Sequence, residues 1–187
     1  MEKTSKYNWY FPIIGGIFAL LGLFFPTAYH YFEFQYWDFA QYYWLNGLSF
    51  SIYSPKDWDL EFIRRAPEMM LPGLISTLLI LLSISALIGT ANISRKRDDL
   101  NINFRIIWFV LGSLFFVATG VYVVGIEQGF QQLIIRDGYS VSSLYFQYNE
   151  SFWGNFSPQF GTYAPVIGGI IVLIGALFGK KRIKTGV

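Results

Sequence analysis

Residues 27–68 read TAYHYFEFQYWDFAQYYWLNGLSFSIYSPKDWDLEFIRRAPE and lie between two long hydrophobic runs. The segment is too polar for the hydrocarbon of a membrane, because nine acidic and basic side chains are spread along it. It is also too rich in Tyr, Phe and Trp for a flexible linker, since low hydrophobicity is what keeps linkers unfolded. We therefore predict that it folds on a membrane surface, held at both ends by membrane-spanning helices.

The rest of the chain has the composition of a membrane protein. Only 14% of the residues are charged, whereas 53% are hydrophobic and 20% are aromatic. Four windows without Asp, Glu, Lys or Arg are long enough to cross about 30 Å of hydrocarbon, which takes roughly 20 apolar residues. We predict a single domain with four transmembrane helices, near 10–27, 70–91, 104–126 and 163–179. The two outer loops then cover 28–69 and 127–162.

Lys and Arg concentrate on one side of this topology. With both termini cytoplasmic, the inner segments hold ten of the fourteen basic residues and three acidic ones, a net +7. The outer segments hold four basic and nine acidic residues, a net −5. Because basic residues accumulate in cytoplasmic loops, we predict a multi-pass plasma-membrane protein with both termini inside and no nucleic-acid partner. The basic clusters at 95–97 and 180–182 are predicted to contact anionic lipids.

A cleaved signal peptide is the alternative for the first hydrophobic run. The start of the chain is basic, and Pro26-Thr27-Ala28 weakly imitates a cleavage site. The apolar run is long for a signal core, however, so a retained first span is the favoured interpretation.

Small residues recur along the predicted helices. Gly15, Ala19 and Gly22 follow at steps of four and three on the first span, and Gly168 and Gly175 lie one heptad apart on the last. Small side chains let helix backbones approach closely in lipid. We therefore predict these five as packing positions of a left-handed four-helix bundle. The competing interpretation is that glycine is simply common in membrane helices.

Both outer loops carry the alternation of a β-strand. In the first loop, 32–36 and 48–54 alternate apolar and polar residues, and Asn46-Gly47 between them is typical of a tight turn. A short helix is predicted over 58–65. In the second loop, 131–136 and 139–148 flank Asp137-Gly138, which is a hairpin signal. Because an isolated hairpin is marginal in water, we predict that both loops pair into one extracellular antiparallel sheet of four or five strands.

Little of the chemistry that enzymes need is present. The four charge-free windows, 7–32, 69–94, 106–126 and 151–179, hold no Asp, Glu, Lys or Arg of the kind that marks proton or ion pathways, and the chain has one histidine, His30, and no cysteine. We predict no catalytic residue, no metal site and no cofactor. Asp57, Asp59 and Glu61 imitate a calcium loop, but Phe62 occupies the position that requires glycine.

The order of these predicted elements resembles a known family, the claudin and peripheral-myelin-protein superfamily. The shared plan is four spans with both termini inside, a stranded first outer loop, a short helix before the second span and a shorter stranded second loop. Locally, the family's Trp and Gly-Leu-Trp pattern has a partial counterpart in Trp37 or Trp44 followed by Gly47-Leu48. Ser49 replaces the last Trp, and both family cysteines are missing. The segment 155–158, Asn-Phe-Ser-Pro, is similar to the family's aromatic–proline element in the second loop.

This resemblance implies a non-enzymatic role in adhesion, lateral self-assembly or partner binding through the outer sheet. Aromatic side chains are typical interface anchors, and the predicted interaction residues are Tyr42, Tyr43, Trp44 and Trp153. The implied partners are membrane lipids and either a second copy of the chain or another membrane protein.

Three alternatives stay open. The aromatic side chains could form the core of the sheet itself or an interfacial belt. The chain could be an accessory subunit of a membrane enzyme or transporter. A small pore, the third alternative, is supported only by the Ser and Thr residues of the second span.

Overall fold

The computed structural model of the protein describes residues 8–33, 38–54, 67–96, 102–137 and 151–178. This part of the chain is mostly helical and includes a small antiparallel sheet. In chain order the elements are α1 (Tyr10–Phe24), β1 (Pro26–Glu33), β2 (Asp38–Trp44), β3 (Ser49–Ser54), α2 (Pro67–Lys96), α3 (Ile102–Asp137), α4 (Phe152–Asn155), β4 (Ser157–Pro158) and α5 (Phe160–Phe178).

Three of the described helices are long and apolar enough to cross a membrane. They contribute the candidate spans Met70–Lys96, Asn103–Gln132 and Phe160–Leu177. The apolar helix α1 has 15 residues, which at 1.5 Å per residue reach about 22 Å, less than the roughly 30 Å of hydrocarbon. The chain therefore has the character of a membrane protein, and the fourth span stays a prediction.

The first helix ends earlier than the sequence predicted. The predicted span ran to Thr27, whereas α1 ends at Phe24 and Thr27 lies in β1. The reason is Pro26, which has no N–H for a helical hydrogen bond and disfavours helical dihedrals at Phe25. The predicted span extended past Pro26 because it was based on hydrophobicity alone.

The sheet has the strand order β3-β2-β1-β4, and all of its pairings are antiparallel. The strand predicted over 48–54 is confirmed as β3 (Ser49–Ser54), and the turn at Asn46-Gly47 precedes it. Gly47 has φ of 80°, a conformation that glycine adopts without steric cost. The side-chain oxygen of Asn46 accepts a 3.0 Å hydrogen bond from the Leu48 N–H.

Both predicted loops contribute to this sheet. β4 pairs with β1 through Ala28↔Pro158 and Tyr29↔Ser157, so a two-residue strand that the sequence did not predict joins the second loop to a small antiparallel sheet, and an extracellular sheet of four or five strands stays a prediction. Pro158 lies on the edge strand, where a residue without an N–H is tolerated. Strand β2 was not predicted, because its Tyr42-Tyr43-Trp44 run breaks the simple alternation.

The strand predicted over 131–136 is wrong, because α3 continues as a helix to Asp137. Extending an existing helix adds one hydrogen bond per ordered residue, whereas a new strand needs a partner and a turn. No proline or glycine interrupts the chain between Gly129 and Gly138, and the helix ends just before the latter. The strand predicted over 139–148 and the helix predicted over 58–65 lie outside the described residues.

The chain separates into two compact units. The helical unit comprises Met1–Leu21, Leu79–Val117 and Ala164–Val187, and the sheet unit comprises Gly22–Leu78 and Ala118–Tyr163. In the helical unit, the side chains of Leu87, Trp108, Phe115 and Val172 are fully buried. Large apolar side chains on the same helices face outward, as expected for helices surrounded by lipid: Ile17, Leu82, Ile106 and Leu177 are all more than half exposed.

Glycine brings the helices of the helical unit into backbone contact. A Cβ atom on Gly15 would lie 2.5 Å from the carbonyl oxygen of Gly168, and a Cβ on Gly168 would collide with the carbonyl oxygen of Gly15. Three side-chain hydrogen bonds add specificity elsewhere in this unit. The Trp108 indole donates to the Thr90 hydroxyl at 3.0 Å, and Arg105 donates to the Ala176 and Leu177 carbonyls at 2.7 and 2.8 Å.

Candidate interaction surface

Thr27 connects several elements of the sheet unit. It is fully buried, and its hydroxyl donates a 3.0 Å hydrogen bond to the Tyr43 carbonyl. The same oxygen lies 2.5 Å from the Tyr122 hydroxyl. Since the single hydroxyl proton of Thr27 is directed to Tyr43, Tyr122 is the donor in this second bond.

The backbone of Thr27 is engaged as well. Its carbonyl oxygen accepts a 2.8 Å bond from the Gln159 N–H and a 2.7 Å bond from the Thr162 hydroxyl. One residue thereby ties β1 to β2, to α3 and to the start of α5. Buried polar groups of this kind are costly when left unpaired, so the set holds the sheet in one register.

One face of the sheet packs on aromatic rings from α4. Phe152 and Phe156, four residues apart, stack with centroids 4.4 Å apart and an interplanar angle of 10°. The Tyr43 ring meets both edge-to-face, at 5.2 and 5.1 Å, and Phe130 of α3 meets Phe152 at 5.7 Å. Phe152 and Phe156 are almost completely buried, which makes this cluster the core of the sheet unit.

A carboxylate on α3 anchors the α4 turn. One oxygen of Glu127 accepts from the Ser151 hydroxyl and from the Trp153 backbone N–H, both at 3.2 Å, while the other accepts from Gln131 at 3.1 Å. The Trp153 indole donates to the Val123 carbonyl at 2.9 Å. Trp153 is therefore attached to α3 by both its backbone and its side chain.

The opposite face of the sheet carries an aromatic row, which we call the aromatic ladder: Tyr29, Tyr31, Tyr42 and Trp44. Tyr29 and Tyr42 are cross-strand partners with ring centroids 4.8 Å apart, and Tyr42 is 6.2 Å from Trp44. Tyr31 is 48% exposed. The Trp44 indole donates to the Phe24 carbonyl at 3.1 Å, at the end of α1.

Crowding within the aromatic ladder changes the acidity of one phenol. Burial raises the pKa of Tyr29 above its ordinary value of 10.0, and the neighbouring Tyr42 raises it further. The Tyr29 phenol therefore stays neutral to a higher pH than a free tyrosine does.

The four predicted interaction residues separate into two pairs. Tyr42 and Trp44 belong to the aromatic ladder, whereas Tyr43 and Trp153 are held inside the sheet unit by Phe152 and α3. All four are partly buried, and the contacts of Tyr43 and Trp153 with Phe152 and α3 fit the alternative of a sheet core for these two. Their part in binding a partner stays a prediction.

The predicted packing residues lie at close helix contacts or in buried positions. Gly15 and Gly168 face each other, Ala19 is buried beside Gly168, and a Cβ on Gly175 would collide with Phe11. Gly22 is buried.

Sequence reasoning missed Thr27, Tyr122 and Glu127. Their hydrogen bonds join residues 16 to 135 positions apart, and no local pattern signals such distant partners. His30 has a nearer explanation than catalysis, since its Nδ1 lies 2.6 Å from the Asn155 carbonyl and its ring beside Phe156. Within the described residues, no three or more His, Asp or Glu side chains form a group that could hold a metal ion.

The chain matches no protein-family model and no curated protein sequence.

Proposed function

We propose that this chain is a non-enzymatic membrane protein that binds a protein partner through the aromatic ladder of its sheet. The proposed topology has four spans in a left-handed bundle, both termini cytoplasmic and the sheet on the outer face of the plasma membrane. It rests on the three candidate spans, the apolar helix α1 and the +7 to −5 charge asymmetry of the sequence.

The observation that carries the proposal is a difference in packing between the two faces of the sheet. One face packs on Phe152 and Phe156, and the other presents Tyr29, Tyr31, Tyr42 and Trp44 as a continuous row. Tyr and Trp are enriched among the residues that dominate binding energy at interfaces. The acidic outer segments would favour a foreign partner with a basic surface, and this charge argument supports the accessory role rather than self-assembly.

The arrangement of elements also supports a claudin-like plan. A single residue, Phe25, separates the first helix from β1, and the segment after α3 returns to pair with β1 as β4. A second copy of the chain is accordingly the first partner to test. An accessory role, with a different membrane protein as the partner, is the second candidate.

Purification in mild detergent followed by mass determination separates these candidates. A homo-oligomer supports self-assembly, and a stoichiometric foreign chain supports the accessory role. A monomer that retains no partner under conditions that preserve native lipid contacts would contradict both.

Two adjacent tyrosines provide a matched pair for testing the surface. Tyr42→Ala should weaken partner retention by about 30-fold, the loss typical of an interface hot spot, and lower the free energy of unfolding by at most about 1 kcal/mol, the contribution of its cross-strand ring pair with Tyr29. Tyr43→Ala should instead lower the free energy of unfolding by about 3 kcal/mol, because it leaves a cavity beside Phe152. Unchanged partner retention in a folded Tyr42→Ala variant would contradict the proposed surface.

A further inference from the structure

A second polar–aromatic cluster lies in the helical unit, away from the aromatic ladder. Trp9 and Tyr10, at the start of α1, stack with ring centroids 3.7 Å apart and an interplanar angle of 26°. Tyr10 is 42% exposed, and Trp9 is half-buried. Trp and Tyr favour the level of lipid headgroups, where one side of the ring is apolar and the other wet.

One cation, Arg95, contacts this pair from the last turn of α2, where Lys96 is the next residue. The guanidinium carbon of Arg95 lies 4.9 Å from the centroid of the Trp9 ring, a distance at which the ring quadrupole attracts the charge. Lys96 follows it, and both side chains are exposed. Neither forms a hydrogen bond or an ion pair with the residues that the structure describes.

Arg105, in the same unit, differs from Arg95 because its guanidinium is hydrogen-bonded within the protein. Its guanidinium donates to the Ala176 and Leu177 carbonyls in the last turn of α5, where a helix end attracts positive charge. Arg105 and Arg95 thus carry the same charge in the same unit, but of the two only Arg105 donates hydrogen bonds to residues that the structure describes.

We propose that Trp9, Tyr10, Arg95 and Lys96 form a binding site for the headgroup of an anionic phospholipid. The Trp9 ring holds the Arg95 guanidinium at headgroup level, and a guanidinium matches two phosphate oxygens with parallel N–H donors. Lys96 adds a second positive charge. The charge of the cluster selects an anionic lipid over a zwitterionic one, independently of any role of the sheet.

Lipid binding to the full chain in mild detergent tests the site, with native mass spectrometry as the readout. Dioleoylphosphatidylglycerol is the probe, and dioleoylphosphatidylcholine is the zwitterionic comparison. Each basic side chain near an anionic surface strengthens binding by about fivefold. We expect Lys96→Gln to weaken phosphatidylglycerol binding about fivefold and the Arg95→Gln/Lys96→Gln variant about 25-fold, with phosphatidylcholine binding unchanged.

Arg105→Gln is the matched control, because it removes one positive charge from the same unit without touching the site; since it also loses two hydrogen bonds to α5, it is compared only after size-exclusion chromatography shows that it is folded. It should keep the phosphatidylglycerol affinity of the original protein. Equal weakening by Arg105→Gln would show a general charge effect, and equal affinity for both lipids would show no selection; either result overturns the proposal. Glycerol phosphate competing at the same concentration as the lipid would assign the site to a soluble phosphate and also overturn it. Lys96 is exposed, and each variant is compared by size-exclusion chromatography first, so that only folded proteins enter the lipid comparison.

Discussion

The contact between α1 and α5 in the helical unit differs in kind from the contacts of β1 in the sheet unit, although glycines such as Gly73 and Gly161 make close backbone contacts in the sheet unit as well. In the helical unit, α1 and α5 contact each other at glycine residues, as at Gly15 and Gly168. In the sheet unit, strands and helices meet through hydrogen bonds and rings, as at Thr27 and Phe152. The hydrophobic effect does not drive helices together in lipid, so van der Waals packing between closely approaching helix backbones has to stabilise their association. The first unit should therefore be sensitive to added atoms and the second to removed polar atoms.

The largest effect is expected at Gly168. Gly168→Leu places a side chain against the carbonyl oxygen of Gly15, and neither backbone can withdraw without separating α1 from α5. We expect loss of the folded protein in detergent, measured as aggregation on size-exclusion chromatography. Gly89→Leu is the control, because a Cβ there meets nothing within 4 Å. A folded, stable Gly168→Leu protein would break the comparison.

Removing one buried hydroxyl should be the most harmful small change in the sheet unit. Thr27→Val conserves shape but leaves the Tyr43 carbonyl and the Tyr122 hydroxyl without their partner. We expect the free energy of unfolding to fall by about 2–3 kcal/mol. Combining it with Tyr122→Phe should cost less than the sum of the single changes, because both partners of one bond are then removed. Simple additivity would show that the two hydroxyls do not interact.

A smaller loss is expected from the α4 anchor. Glu127→Gln keeps one acceptor oxygen for the Ser151 hydroxyl and the Trp153 N–H and removes the charge that strengthens both bonds. The free energy of unfolding should fall by about 1 kcal/mol. Gln131→Ala, which removes only an exposed neighbour, should change it by less than about 0.5 kcal/mol. Equal losses would show that Glu127 does not anchor α4.

The smallest effect is spectroscopic. Because burial and Tyr42 raise the pKa of Tyr29 above 10.0, its phenolate should form later than that of an exposed tyrosine in an alkaline titration. The folded state is favoured by this neutral phenol below pH 10 and loses that advantage as the pH rises through the raised pKa. The measurement is the difference in phenolate absorbance between the original protein and Tyr29→Phe. If this difference in absorbance appeared at or below pH 10, the pKa of Tyr29 would not be raised, and its phenol would be exposed to water.

Particular residues show how far sequence patterns reach. Charge-free runs located α2, α3 and α5, and Asn46-Gly47 located a turn, because each is a local property of the chain. Pro26 marks the end of α1 equally locally, although hydrophobicity extended the predicted span to Thr27. The division of the aromatic residues between the two sheet faces was beyond local patterns. Tyr42 and Tyr43 are adjacent and chemically identical, and only the register with β1 assigns one to each face.

The wrong strand at 131–136 illustrates a different limit. A hairpin signal at Asp137-Gly138 is also a helix terminator, and the choice depends on whether a helix already approaches it. The candidate surface depends on distant pairings in the same way. Glu127 and Thr27 look ordinary in sequence because their partners lie in segments that are far away along the chain.

The partners of Thr27 have a consequence for biosynthesis. The hydrogen-bond partners of its hydroxyl and carbonyl include Tyr122, Gln159 and Thr162, which are synthesised later, and Thr162 lies 135 residues downstream. While the ribosome is still making α3, β1 therefore has β2 but neither β4 nor the threonine of α5. A nascent chain that terminates before Gln159 exposes an unfinished strand edge, which is the kind of surface that quality-control chaperones and proteases recognise.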